Sequence, residues 1–129
     1  MAEKDVIRTN RAPGPFQGAP YNQAIRVGDL VFVAGQLGVG LETGELAGPS
    51  AAAQTEQIME NLAAILEAAG SGLDKLVKTT VFLVELDDFA AMNEVYARHV
   101  GNRPPARSTV EVAGLPTGAR VEIEAVAHV

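Results

Sequence analysis

The last two predicted strands carry the side chains best suited to chemistry. Alternation along these strands places Arg107, Thr109 and Glu111 on one side of the first, and Arg120 and Glu122 on one side of the second. If the strands are neighbours, a register with Glu111 opposite Arg120 brings Arg107 and Glu122 close enough to serve one site. An arginine can hold a carboxylate through two hydrogen bonds, and a glutamate can hold or deprotonate a water. The same pattern fits a solvated polar face with a cross-strand ion pair, and another strand could lie between the two.

Other common catalytic and binding motifs find little support. The chain has no cysteine, which excludes disulfides, thiolate zinc sites and cysteine nucleophiles. The glycines from Gly35 onward fit neither a phosphate-binding loop nor a dinucleotide fingerprint, and no serine elbow follows the strand before them. The two histidines have no partner at metal-ligand spacing. His99 lies in the last turn of a predicted helix, where it suits the helix dipole, and His128 is given no role.

Length and composition predict one globular domain spanning residues 1–129, with 47% apolar and 20% charged residues. Sixteen acidic residues against ten basic ones give a net charge of −6, which argues against a broad nucleic-acid surface. No apolar run approaches the roughly 18 residues of a membrane helix. The first residues, MAEKD, carry no apolar signal-peptide core, so we expect a cytoplasmic protein.

The hydrophobic pattern and the turn residues predict strands, a helix, a strand, a second helix and more strands. The first twenty residues, rich in proline and glycine, predict an extended lead-in with turns. The predicted elements are strands at 24–27 and 30–34 around Gly28-Asp29, a helix between Ser50 and Gly70, a strand at 76–85, a helix from Asp87 or Asp88 to Gly101, and strands at 107–112 and 120–128. This order predicts an α/β (α+β) fold: a mixed sheet of about six strands with two helices on one face.

The strand over residues 30–34 is apolar on both sides. Leu30, Phe32 and Ala34 point one way, whereas Val31 and Val33 point the other. Two helices cover only one face of the sheet, so the other face would expose a contiguous apolar patch to water. We therefore predict a homo-oligomer in which the helix-free faces pack together.

Five segments closely resemble the RidA/YjgF family of reactive intermediate deaminases, also labelled endoribonuclease L-PSP. The matching segments are APYNQA (19–24), VAGQ (33–36), VKTTVFL (77–83), PARSTVEV (105–112) and VEIEA (121–125). The resemblance runs from about Thr9 to the C-terminus and implies a chorismate-mutase-like fold and a homotrimer with clefts between subunits. It also implies hydrolysis of enamines and imines, such as 2-aminoacrylate from pyridoxal-phosphate dehydratases, to 2-keto acids and ammonia. The family uses no metal or organic cofactor.

The resemblance assigns the catalytic roles to three residues. Arg107 matches the family's key arginine, which would hold the carboxylate of a 2-imino acid. Glu122 matches the glutamate that positions the attacking water, and Tyr21 matches the site tyrosine, which could close the cleft and transfer a proton. The alternative roles are an ion pair of Arg107 with an acidic neighbour, a cross-strand salt bridge for Glu122, and packing of the lead-in for Tyr21.

The resemblance also assigns substrate contacts. Gly35 and Thr109 would contribute backbone groups near the carboxylate, and Asn93 matches an asparagine on the second helix. Asn93 could also be a surface hydrogen bonder with no catalytic part. Two positions depart from the best-known members, which often carry serine where this chain has Ala34 and cysteine where it has Thr109. Ala34 removes a hydroxyl from the cleft, which puts substrate range and rate in question.

Three other functions compete with deamination. The same cleft could hold a 2-keto acid without turning it over, as a metabolite sensor or stabiliser. A ribonuclease would agree with the L-PSP label but not with the negative charge or with the absence of a histidine pair. Chorismate mutase activity would follow from the fold alone, which does not establish function.

Overall fold

The computed structural model describes residues 3–129, which form one six-stranded mixed sheet and two α-helices. The predicted fold class is confirmed. The strands are β1 (Lys4–Ile7), β2 (Ala24–Val27), β3 (Leu30–Leu37), β4 (Leu76–Leu83), β5 (Ala106–Glu111) and β6 (Val121–His128), and the helices are α1 (Ala51–Ala68) and α2 (Phe89–Val100).

The strands lie side by side in the order β1-β2-β3-β6-β4-β5. All neighbouring pairs are antiparallel except β4 and β5, which are parallel because α2 connects them as a crossover. The predicted hairpin of β2 and β3 is present, with Gly28 in its turn at φ 58°. Helix α1 connects β3 to β4, and β6 occupies the place between those two strands.

Both predicted helices are present, and they pack on one face of the sheet. The Ser50 side chain accepts a hydrogen bond from the backbone N–H of Ala53 and so caps α1. Gly101 ends α2 at φ 70°. The core lies between the helices and the inward-facing strand residues, among them Val31 and Ile123, which are both fully buried. Most apolar residues at helical spacing are buried, namely Ile58, Leu62, Ile65 and Leu66 in α1, Ala69 just after it, and Met92, Tyr96 and Val100 in α2, whereas Phe89 is exposed.

The opposite, helix-free face of the sheet exposes apolar side chains. Leu30, Phe32 and Val110 are each more than two-fifths exposed, although each stands in a strand whose other side faces the core. The two-sided apolar pattern predicted for residues 30–34 is confirmed.

Two local predictions were wrong. Lys4–Ile7 is a strand, β1, not part of an irregular lead-in; it is a short edge strand, and its four residues give too little alternation to be recognised. Asp88 occupies the N-cap position of α2 but makes no capping bond, because its carboxylate accepts a hydrogen bond from the Arg120 guanidinium at 2.9 Å. The ion pair replaces the cap.

Candidate active site

Arg107 and Glu122 lie on opposite faces of the sheet, so the prediction that they share a site within one chain was wrong. β4 separates β5 from β6, and Arg107 is paired directly with Thr79 of β4, which is buried under α2. Glu122 stands between the core residues Val121 and Ile123, so its side chain points to the helix-free face. A single protomer therefore carries two separate groups of the predicted site residues.

The first group surrounds Arg107, against α2. The guanidinium carbon lies 4.9 Å from the ring centroid of Tyr96 and 5.4 Å from that of Phe89, which are cation–π distances. Nη1 also points at the sulfur of Met92 at 3.9 Å. No carboxylate pairs with Arg107 among residues 3–129, so the ion pair considered as its alternative role is absent there. The arginine remains available to an anionic ligand.

Asn93 and Thr109 belong to the same group as Arg107. Asn93 and Arg107 line one hollow of about 350 Å³ at the sheet edge, and Thr109 follows Arg107 on the same side of β5. The side-chain oxygens of Asn93 and Thr109 are buried without a hydrogen-bond partner within the described residues. Buried polar atoms are normally paired, so these two oxygens indicate that a ligand or a second chain completes this part of the molecule.

The second group surrounds Glu122, which lines a cavity of about 750 Å³ on the opposite side. The other cavity residues are Pro13, Gly14, Pro15, Phe16, Gln17, Ala19, Tyr21, Gln23, Ala34, Gly35, Gln36, Leu37, Val39, Gly44 and Pro116. Glu122 is the only charged residue among them. Burial raises the pKa of the Glu122 carboxyl above its usual value, and the nearby charge of Glu124 raises it further.

Gly35 makes room for the Glu122 carboxylate. A Cβ at position 35 would lie 2.8 Å from Oε2 of Glu122 and 2.9 Å from its Cδ. Such contacts are closer than van der Waals separation, so any other residue at position 35 would displace the carboxylate. The structure thus gives Gly35 a steric role beside the predicted backbone role, next to a β-bulge between Val33 and Gln36.

Tyr21 and Ala34 lie on the same cavity wall as Glu122. The Tyr21 hydroxyl accepts a hydrogen bond from the backbone N–H of Phe16, which leaves its own proton free to be donated. Ala34, the departure from the serine of the best-known members, lines this cavity and brings only a methyl group to it. The structure brings three predicted site residues together at this cavity: Tyr21, Gly35 and Glu122. They lie at a distance from the Arg107 group.

Comparison with known proteins identifies the family. Residues 10–129 match the family described as endoribonuclease L-PSP. The chain belongs to this family, also called RidA/YjgF. A RutC family protein of Pyrococcus abyssi is 49% identical over 125 residues, which are 97% of each chain. The human 2-iminobutanoate/2-iminopropanoate deaminase is 41% identical over 122 residues, 95% of this chain and 88% of the human one. The crystal structure of Escherichia coli TdcF with bound serine superposes with a TM-score of 0.89 at 40% identity, covering 97% of this chain and 98% of TdcF.

The sequence did not reveal the aromatic surroundings of Arg107 in this RidA-family chain. Phe89, Met92 and Tyr96 follow helical spacing, which predicted only a buried face of α2. Met92 and Tyr96 are indeed buried, but Phe89 is 41% exposed. Only the parallel pairing of β4 with β5, which places Arg107 beneath α2, gives these three residues a contact with the guanidinium. The sequence signal for this pairing was the helix between the two strands, since a strand-helix-strand unit favours parallel pairing.

His99 has a structural role that differs from the predicted one. Its imidazole is hydrogen-bonded to the Glu56 carboxylate and so connects α2 to α1, instead of acting on the helix dipole alone. Within residues 3–129, no three acidic or histidine side chains gather as metal ligands would. No helix in that range has the length and apolarity needed to cross a membrane.

Proposed function

We propose that this protein is a deaminase that hydrolyses reactive enamines and imines to 2-keto acids and ammonia, at a site formed between subunits of a homotrimer. The observation that carries the proposal is the lone Glu122 carboxylate, with a raised pKa, facing a cavity that holds no other charge. Family membership and the deaminase named among the relatives support the same activity.

Glu122 is suited to be the general base. Its raised pKa makes its ionised form a stronger base than the carboxylate of an ordinary surface glutamate. In the reaction, a water held by Glu122 forms a C–O bond to C2 of the 2-imino acid and gives one proton to the carboxylate. Collapse of the resulting tetrahedral adduct then breaks the C–N bond: the proton held by Glu122 goes to nitrogen, the hydroxyl proton of the adduct returns to Tyr21, which donated a proton to nitrogen before the attack, and ammonia leaves the 2-keto acid.

Tyr21 can supply the second proton that the reaction needs. Its hydroxyl already accepts a hydrogen bond from Phe16, so its proton is directed to other acceptors in the cavity. Donation to the imine nitrogen would make C2 more electrophilic before water attacks. For an enamine such as 2-aminoacrylate, C3 must first take up a proton to give the imine, and the same hydroxyl lies on the wall where that could occur.

Arg107 would hold the substrate carboxylate. Its guanidinium lacks a carboxylate partner among the described residues, and its planar fork matches the two oxygens of a 2-imino acid. Asn93 and Thr109, with their buried unpaired oxygens, would accept hydrogen bonds from the substrate or from a neighbouring subunit. Binding and orientation of substrate and water account for much of the expected acceleration, because imines hydrolyse in water even without a catalyst.

The opposite placement of Arg107 and Glu122 supports a site shared by two subunits. The surface beside β5 and α2 differs from the cavity surface around Glu122, so a contact between them is heterologous, and such contacts form a ring of subunits when the rotation from one subunit to the next closes. The family resemblance gives three as the number in the ring. Such a ring would also cover the exposed apolar residues of the helix-free face, including Phe32 and Val110.

A coupled assay tests the activity. Threonine dehydratase generates 2-iminobutanoate, and release of the 2-keto acid is followed with and without this protein. We expect faster release with wild-type protein and no acceleration with Arg107→Ala. Binding of 2-oxobutanoate without acceleration would instead favour the sensor, and cleavage of RNA by highly purified protein would favour the nuclease.

A further inference from the structure

We propose that Tyr96, Phe89 and Thr79 are positioning residues that hold the Arg107 guanidinium ready for a substrate carboxylate without occupying its hydrogen-bond donors. This inference rests on the proposed function, because it assigns a role within the same carboxylate site. We call these three residues the arginine clamp.

The clamp contacts the charge of Arg107 and not its N–H groups. The Tyr96 and Phe89 rings lie 4.9 Å and 5.4 Å from the guanidinium carbon, distances at which a cation is attracted to the ring face. The one side-chain acceptor for an Arg107 N–H within residues 3–129 is the Met92 sulfur at 3.9 Å, a weak acceptor. A carboxylate neighbour would have fixed the arginine equally well but would have used the donors that a substrate needs.

Thr79 fixes the position of the Tyr96 ring. The two hydroxyls lie 2.6 Å apart in a buried setting, and Thr79 is the direct cross-strand partner of Arg107. The hydrogen bond therefore connects the Tyr96 ring to Thr79 of β4. Arg107, which the ring contacts, lies directly beside Thr79 on β5. Burial raises the pKa of the Tyr96 hydroxyl above its usual value, although Thr79 and the charge of Arg107 oppose the rise, so the ring stays neutral.

Packing alone does not explain a buried hydroxyl pair at this place. Thr79 is 1% exposed and Tyr96 is 5% exposed, and a valine with a phenylalanine would fill similar volumes with no polar atoms to satisfy. What the hydroxyl pair adds is a fixed ring orientation under a guanidinium. Phe89 makes the second ring contact with the guanidinium, and its own side chain is 41% exposed.

The test uses Tyr96→Phe, Thr79→Val and Phe89→Leu, with 2-oxobutanoate as the probe. Calorimetry gives its Kd, the coupled assay gives KM and kcat, and thermal unfolding gives Tm. We expect Kd and KM to rise about threefold to tenfold in each variant, with kcat close to wild type. Tm should fall modestly in Tyr96→Phe and in Thr79→Val, because each leaves one buried hydroxyl unpaired, and should recover in the double variant. Because Tyr96→Phe and Thr79→Val break the same hydrogen bond, the double variant should lose no more affinity than either single one.

Leu86→Ala, which removes an exposed apolar side chain outside the clamp, is the control and should bind as wild type does.

The outcomes separate this inference from the proposed function. If Arg107→Ala loses keto-acid binding while the three clamp variants keep wild-type Kd and KM, the clamp is wrong and the function stands. If the clamp variants lose kcat and Tm together with affinity, they act through general stability, which also overturns the clamp. If wild-type protein neither binds 2-oxobutanoate nor accelerates imine hydrolysis, the proposed function itself is wrong.

Discussion

Arg107 and Glu122, the two residues assigned the main chemical roles, face away from each other across the sheet of a single chain. Arg107 is paired with the buried Thr79 on the helix side, and Glu122 emerges between two buried neighbours on the helix-free side. Each residue lies in only part of the proposed site. Among the described residues, Arg107 has no carboxylate partner and lies near two buried oxygens without hydrogen-bond partners, whereas Glu122 is the one charged residue that lines its cavity. The two parts become one site only if different subunits contribute them.

Subunit mixing tests this arrangement directly. We expect Arg107→Ala and Glu122→Gln to be inactive separately, and to regain activity when they are unfolded and refolded together. Random assembly would place an intact Arg107 opposite an intact Glu122 in about one quarter of the clefts, so about one quarter of wild-type activity should return. The control mixture is Arg107→Ala with Asn93→Ala, both altered on the same side, which should show no more than the average activity of its two parents. A mixture of the first pair that is as inactive as its parents contradicts a shared site.

The helix-free face is expected to be the subunit interface. Phe32 is 45% exposed in the single chain, and Phe32→Asp would place an unpaired charge in the apolar contact between subunits. Light scattering at micromolar concentration should show a trimer for the wild type and monomers for Phe32→Asp. Leu41→Asp, which alters an equally exposed apolar side chain in the loop after β3, should remain a trimer. A stable wild-type monomer would contradict both the assembly and the shared site.

Arg107 is expected to matter for binding much more than for folding. Arg107→Ala should weaken 2-oxobutanoate binding by about 1.5–3 kcal/mol, the typical strength of a hydrogen bond to a charged group, and abolish acceleration. Tm should change little, since no carboxylate within residues 3–129 depends on this guanidinium. Arg107→Lys should bind with intermediate affinity, because it keeps the charge and loses the fork.

The exposed Arg103 provides the matched control for this change. Arg103→Ala removes the same charge four residues earlier and should bind 2-oxobutanoate as wild type does. An Arg107→Ala variant that keeps full deaminase activity would refute the assignment of the carboxylate site.

Local patterns in the sequence predicted most elements but not their arrangement in the sheet. Alternation correctly placed Glu122 on the polar side of its strand, because alternation is a property of one strand alone. Which strands are neighbours depends on contacts distant in sequence. The last two strands do not form the hairpin considered as the default, and the alternative left open, with another strand between them, is the one observed. The helix between β4 and β5 did contain the missing information, since a strand-helix-strand unit favours parallel pairing. That pairing moves Arg107 to the helix side and creates its contact with Tyr96.

Glu122→Gln is expected to keep the fold and much of the keto-acid affinity while slowing hydrolysis. The amide keeps the shape of the side chain but cannot accept a proton from water, a loss of about 10²–10⁴ in rate where a general base matters. Keto-acid Kd and kcat, measured on the same preparation, separate the two effects. Wild-type kcat in this variant would show that Glu122 is only structural.

The raised pKa of Glu122 predicts the pH dependence of both rate and stability. The rate should rise with pH through this raised pKa, because the ionised form is the base. The folded pKa lies above the unfolded value of about 4.3, so Glu122 adds stability at lower pH that is lost as pH rises through the folded pKa. Glu122→Gln, which cannot ionise, should not show this loss of stability as pH rises.

Glu124→Gln supplies an independent check on the same pKa. Glu124 contributes to the raised value through like-charge repulsion, after burial, so its removal should lower the pKa of Glu122. The acid limb of the rate profile should then move to lower pH with little change in the plateau. A profile that does not move would show that Glu122 does not titrate on that limb.

Gly35→Ala tests whether the position of the Glu122 carboxylate matters as much as its presence. The added methyl would lie 2.8 Å from Oε2 and 2.9 Å from Cδ, so the side chain must swing away while β3 stays in place. A misplacement of about 1 Å can cost about 10²-fold in rate, and we expect a loss of that order in kcat at nearly unchanged Tm. Gly114→Ala is the matched control, since nothing lies within 4 Å of its Cβ, and it should be fully active. Combined with Glu122→Gln, Gly35→Ala should cost little more, because both changes act on one group; full additivity would show that Gly35 acts elsewhere.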